Sequence, residues 1–198
     1  GGIQGYFLQI EIANDDNNPD IARKIANYFV SHKQILAVIG HNASDASVAA
    51  CEIYQKGQLV NISPTSFSLK LSGCGSYVFR TAPNLRFLAD SVSHYAINVA
   101  GTKNLAICVD EKAIDNQSFR DEFTSSTIAG GGNIVNIHCD FSAPDFDPHK
   151  IIVDAIINGA DGLFLAPHID RISKALDLAK ANQGQLKLFA STSLYTLQ

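Results

Sequence analysis

The residues of this chain whose types and spacing could do chemistry are short hydroxyls in two polar turns, with isolated histidines beside them. His41-Asn42-Ala43-Ser44-Asp45 follows the apolar run of residues 35–39 and opens a helix. Ser63-Pro64-Thr65-Ser66 follows the next apolar run and leads into Phe67. Hydroxyl donors and free backbone N–H groups at a helix start suit an anionic group such as a carboxylate. A Ser44–His41 nucleophile–base pair is the sharper reading, but no third residue is placed to orient the imidazole. More plainly, His41 is a turn residue that hydrogen-bonds locally, and Ser44 a helix cap.

Other chemistries find no support. The six histidines, at 32, 41, 94, 138, 149 and 168, form no H-E-x-x-H and no tight pair. There is no G-x-G-x-x-G, no phosphate-binding G-x-x-x-x-G-K-[ST] and no G-x-S-x-G. Gly130-Gly131-Gly132 precedes a strand rather than opening a helix. The Asp-rich loop at residues 14–18 lacks the glycine and the distal glutamate of a calcium loop, so it reads as a capped turn. The sequence calls for no cofactor and no metal.

The elements that carry these turns alternate. Residues 6–12 alternate apolar and polar, as a half-buried strand does. Asn18 and Pro19 start a helix running to about residue 32. Residues 35–39 form a continuous apolar run, expected of a parallel strand covered on both faces. A helix follows, stopped by Gly57; then come strands at 59–62 and 77–81 and a breaker at Ala82-Pro83-Asn84. The spacing predicts a helix over 85–99, with Leu88, Val92, Tyr95, Ala96 and Val99 inward. Beyond it, strands at 104–109, 133–139, 162–165 and 186–190 alternate with helices at 118–128, 147–158 and 169–182. Repeated βα units of this length predict an α/β fold with doubly wound parallel sheets, one in each of two lobes: residues 1–81 and 82–198.

Of 198 residues, 46% are hydrophobic and 17% charged, enough for a large core, and the net charge of −4 argues against a nucleic-acid surface. No apolar run reaches the roughly 18 residues of a membrane helix. The first five residues do not read as a signal peptide, and methionine is absent even at position 1, so the chain reads as a segment of something longer. Four cysteines share no CxxC spacing. Cys108 and Cys139 fall in apolar strands and read as buried free thiols, whereas Cys51 and Cys74 either pair, if the protein is exported, or stay separate.

Val-Ile-Gly-His at 38–41, Ser44, Ile-Tyr at 53–54, Ile-Ser-Pro-Thr-Ser at 62–66 and Phe-Arg-Thr at 79–81 together resemble the type I periplasmic binding proteins. Within these, the chain is most similar to the leucine/isoleucine/valine-binding branch that serves branched-chain amino acid ABC transporters and related receptors. The Gly-Gly-Ile-Gln-Gly start and Asp-Asp-Asn-Asn-Pro add to the resemblance. It covers essentially the whole chain and is strongest over the first 82 residues. It implies two α/β lobes with the ligand between them and a first lobe incomplete at both chain ends. A neighbouring copy is one way to complete such a lobe, which leaves a homo-oligomer open.

The resemblance also implies a ligand set. Ser44 matches the serine that holds the ligand carboxylate, and Thr65, Ser66 and Phe67 match the second turn, with Phe67 standing where a threonine is usual. In the second lobe, Asp115 falls where a tyrosine is usual, His168 (or Pro167) at a further contact, and Thr192 where an acid normally binds the α-amino group. A buried ammonium needs a compensating charge. Either Asp115 takes that role or the ligand is a small carboxylate without the amine. The plain readings stay beside these: Thr65 and Ser66 as turn residues, Asp115 as a helix-start acid favoured by the dipole, His168 as a solvated loop residue. The implied protein is a non-enzymatic, extracytoplasmic solute-binding domain that hands closure to a membrane permease or a fused signalling domain. The alternatives are a cytoplasmic doubly wound enzyme and a ligand-free module derived from a binding protein.

Overall fold

The computed structural model describes Gly2 and residues 4–194, Ile114 by its backbone alone. Gly1 and Ile3 of the N-terminal motif, and residues 195–198 of the expected second lobe, lie outside the described residues. The chain divides into two compact units, Gly1–Ala82 and Pro83–Gln198.

In the first unit, α1 (Pro19–Ser31) starts as its sequence dictates: the Asn18 side chain accepts from the N–H groups of Asp20 and Ile21, with Pro19 in the first turn. Strand β1 (Ala37–Ile39) leads into α2 (Ser44–Gly57), β2 (Val60–Ser63), a 3-10 turn (Leu69–Gly73) and β3 (Val78–Arg80). The strands are parallel in the order β1-β2-β3. Ala22 and Ala26 of α1 and Ala46 and Ala50 of α2 are fully buried, and these small side chains let the two helices approach closely over Phe29, Val38 and Tyr54.

Two expectations change here. Residues 7–13 belong to no strand, and Phe7 and Ile12 are 95% and 90% exposed, because the alternating segment has no ladder neighbour among the described residues. The β1 run is covered on one face only: Val38 is buried but Ile39 is 79% exposed. Helix α2 ends at Gly57, as expected, but the left-handed turn that closes it is taken by Gln58, with φ 52°. Gly57 instead admits Val30, whose Cγ1 would lie 2.3 Å from a Cβ built at that position.

The second unit holds α3 (Leu85–His94), β4 (Asn104–Val109), α4 (Ile114–Ala129), β5 (Asn133–Val135), α5 (Pro148–Ile157), β6 (Gly162–Ala166), α6 (Ile172–Asn182) and β7 (Lys187–Ala190). Its four strands are parallel in the order β5-β4-β6-β7. Every residue of β6 is buried, as a central strand covered on both faces requires. On one face Phe164 stacks on Phe123 at 4.1 Å between ring centroids and on Phe119 at 5.2 Å. On the other, Leu163 and Leu165 pack with Ile151, Ile152 and Leu178. The helix expected over 85–99 ends at His94 and continues as a wider turn, Tyr95–Val99. That change of pitch leaves Tyr95 and Val99 exposed rather than inward.

Cys51 joins Cys74, and Cys108 joins Cys139. The second bridge corrects the reading of two free thiols. Val109 and Asp140 are paired across neighbouring extended segments, so the preceding residues, Cys108 and Cys139, come within 4.8 Å at Cα. Periodicity places each cysteine in a strand but does not say which strands are neighbours.

Candidate functional site

The first unit gathers its expected residues at the carboxyl ends of β1 and β2. Gly40 bends the chain out of β1 with φ 142°, a value that excludes most side chains. Its N–H still donates to the Ile62 carbonyl at 3.0 Å. Helix α2 then begins with Ala43 at the N-cap and no side-chain cap. Ser44 is therefore not the cap. It is the first helical residue, buried, and its Oγ accepts the Phe67 N–H at 3.2 Å. That bond ties the start of α2 to the second turn. Thr65 is exposed, and its Oγ1 donates to the Asn42 carbonyl at 2.6 Å. Ser66 is fully buried and its hydroxyl turns inward, 2.6 Å from Ser47 Oγ and 2.8 Å from Ser63 Oγ, which donates to it. The hydroxyls of Ser47 and Ser63 also reach the His41 carbonyl, at 3.1 and 3.3 Å.

His41 does more than hydrogen-bond locally. Its ring is 6% exposed, with Nδ1 against the Asp15 carboxylate and Nε2 3.1 Å from the Tyr54 hydroxyl. Burial, and then the charge of Asp15, push the Tyr54 hydroxyl pKa well above its usual value, so Tyr54 stays protonated beside Nε2. Asp15 is the orienting group that the sequence did not place, but the imidazole it orients engages Tyr54, and Ser44 binds Phe67. The tight turn after Gly40 and the polar loop before α1 carried the signal, but 26 residues separate Asp15 from His41. A pocket of about 650 Å³ runs beside Asp15, His41 and the open edge of β1; none of Ser44, Thr65, Ser66 or Phe67 lines it.

Arg80, at the end of β3, enters the sequence reading only within the Phe-Arg-Thr motif at 79–81 and carries no role there. Its Nη1 donates to the Ser68 carbonyl at 2.8 Å and its Nη2 to Ser72 Oγ at 2.5 Å. Burial lowers its pKa from the usual arginine value.

In the second unit, the expected residues follow three strands at their carboxyl ends. Asp115 lies in the first turn of α4, after β4. His168 follows β6, caps a 3-10 turn (Ile169–Arg171) and sits 3.4 Å from the Asp170 carboxylate, half-exposed. Thr192 is exposed in the turn after β7. Nearby, Asp140 closes the turn beyond Val109. Burial works against its charge, but the N–H of Glu111, the hydroxyl and N–H of Ser142, and His138 outweigh it and hold its carboxyl below the usual range. Among the described residues, no group of three or more His, Cys, Asp or Glu could hold a metal ion.

Parallel doubly wound sheets with hydroxyls and helix starts gathered at their carboxyl ends define a ligand-binding α/β class. The periplasmic binding protein family model matches residues 1–197, and the chain belongs to that family. An amino acid binding protein of Pseudomonas aeruginosa is 29% identical over 112 residues, 56% of this chain and 30% of its own length. Among solved structures, an ABC transporter substrate-binding protein from Desulfitobacterium hafniense in complex with Leu superposes with TM-score 0.83 and 27% identity, over 98% of this chain and 57% of that one. An ABC transporter solute-binding protein from Rhodopseudomonas palustris HaA2, in complex with p-hydroxybenzoic acid, shares the fold with TM-score 0.74 at 18% identity, over 91% of this chain and 49% of that one. The chain thus spans about half the length of these solved relatives.

Proposed function

We propose that this chain is part of an extracytoplasmic solute-binding protein that captures a small carboxylate-bearing molecule, an amino acid or a simpler acid, for an ABC permease or a fused signalling domain. One observation carries the reading: Ser44, at the uncapped start of α2, is bonded to the second turn through Phe67, so hydroxyls and unspent helix-start N–H groups converge at the strand ends. The Desulfitobacterium relative, in complex with Leu, supports an amino acid as ligand. The two disulfides favour an oxidising compartment over the cytosol. On the amine side, Thr192 offers no charge, which leaves that role to Asp115 or leaves the ligand without an amine.

The test is a thermal-shift screen of the full-length protein against branched-chain and polar amino acids and small carboxylates, p-hydroxybenzoate included. A ligand at 100 times its dissociation constant stabilises the folded state by about 2.7 kcal/mol, enough to raise the midpoint by several degrees. A shift with carboxylates is the expected result. No shift across the panel contradicts the proposal.

A further inference from the structure

Arg80 stands at the carboxyl end of the first unit's sheet, where neither the hydroxyls nor the helix start accounts for it. Three of the other four arginines sit against carboxylates: Arg23 on Asp20, Arg86 on Glu122, and Arg120 on Glu111 and Asp121. Arg80 has no carboxylate within ion-pair distance among the described residues, although it is partly buried. Its two bonded partners are neutral, the Ser68 carbonyl and the Ser72 hydroxyl. A guanidinium carries five donors, so this one is neither neutralised nor saturated. Leaving water without a counter-charge is costly unless something else benefits from the field.

The placement says what benefits. Arg80 is the register partner of Ser63 in the parallel ladder, so the two side chains leave the sheet on the same face. That face carries the Ser47–Ser63–Ser66 hydroxyls. Ser68, whose carbonyl Arg80 holds, directly follows Phe67, whose N–H is held by Ser44. The guanidinium is thus two short links from the start of α2. Asp45, in the first turn of α2, is exposed, where solvent screens its charge.

We infer that Arg80 is a specificity-determining residue: the fixed, uncompensated positive charge that makes this end of the sheet prefer an anionic group over its neutral isostere. The inference rests on the solute-binding reading and deepens it. Arg80 acts on the ligand through its field, while its bonds to Ser68 and Ser72 only hold the loop.

Calorimetric titration of the full-length protein separates the two roles. The probes are L-leucine with L-leucinamide, and p-hydroxybenzoate with p-hydroxybenzamide. Arg80→Gln removes the charge; Arg80→Lys keeps it and loses the two-pronged hold on the loop. Arg80→Gln is expected to weaken the bound acid by about tenfold, the scale of one partly screened charge, and its amide by no more than about twofold. Arg80→Lys is expected to hold acid affinity within about threefold, and the acid's loss in Arg80→Gln is expected to shrink at high salt. Where an amide does not bind, the ratio of Lys to Gln variant on the acid decides. Equal weakening of acid by both variants assigns Arg80 to loop support alone and overturns the inference, as does wild-type affinity in Arg80→Gln. A wild type that binds no acid of the thermal-shift panel overturns both this inference and the reading beneath it; one that binds another acid of that panel is titrated with that acid and its amide. Circular dichroism of each variant confirms that a loss is read on folded protein.

Discussion

The two units place candidate residues at the same end of a parallel sheet but hold them differently. In the first, Ser44, Ser66 and His41 are buried and bonded across the chain, to Phe67, to Ser47 and Ser63, and to Asp15 and Tyr54. In the second, Thr192 is exposed, and His168 is half-exposed and leans on a residue two positions away. The supports are reversed. Among the described residues, the second unit builds four strands on a β6 buried throughout, whereas the first has three, with one face of β1 uncovered. The more fully buried core and the more closely bonded candidate residues are therefore in different units.

Mutations can break that comparison. The largest effect is expected at Phe164→Ala, which empties the aromatic stack of the second unit and costs about 3–5 kcal/mol in denaturant unfolding. Ligand affinity of the protein that remains folded is expected to change little; a parallel loss of affinity would show that site and core are not separable. Next is His41→Ala, which strands the Asp15 carboxylate and the Tyr54 hydroxyl and costs about 2–3 kcal/mol. Here stability and affinity are expected to fall together, because losing the ring frees the backbone whose carbonyl holds Ser47 and Ser63. Loss of stability alone would detach the His41 cluster from the site.

A smaller effect sharpens the second unit. Asp140 has its carboxyl held below the ordinary value, so its contribution is present above the unfolded pKa, about 4, and is lost as pH falls through the lower folded value. Asp140→Asn is expected to lower stability at pH 7 by about 1 kcal/mol and to flatten the acid limb of the stability curve. An unchanged acid limb would mean other carboxylates dominate acid unfolding.

Much of this was legible in the sequence because it is local. The Asn18–Pro19 helix start, the glycine turn at Gly40, the strand β6 and the two polar turns are each specified within a few residues. The family resemblance then aligned Ser44 and the second turn. What the sequence hid depends on neighbours far along the chain. Asp15 meets His41 across 26 residues, Cys108 meets Cys139 across 31, and Arg80 meets Ser68 across a strand end. The exposed segment at residues 7–13 shows the same limit from the other side: alternation describes a residue's face, but only a neighbouring strand makes the face a sheet.

The central claim is that the first unit's serine turn anchors the ligand carboxylate. The measurement that tests it most directly is calorimetric affinity of the full-length protein for its best carboxylate ligand, compared between Ser44→Ala and Thr192→Ala. The account predicts a loss of about 1–2 kcal/mol for Ser44→Ala, the scale of a hydrogen bond to a charged group, and less than about 0.5 kcal/mol for Thr192→Ala. Wild-type affinity in Ser44→Ala, or a larger loss in Thr192→Ala, would contradict it.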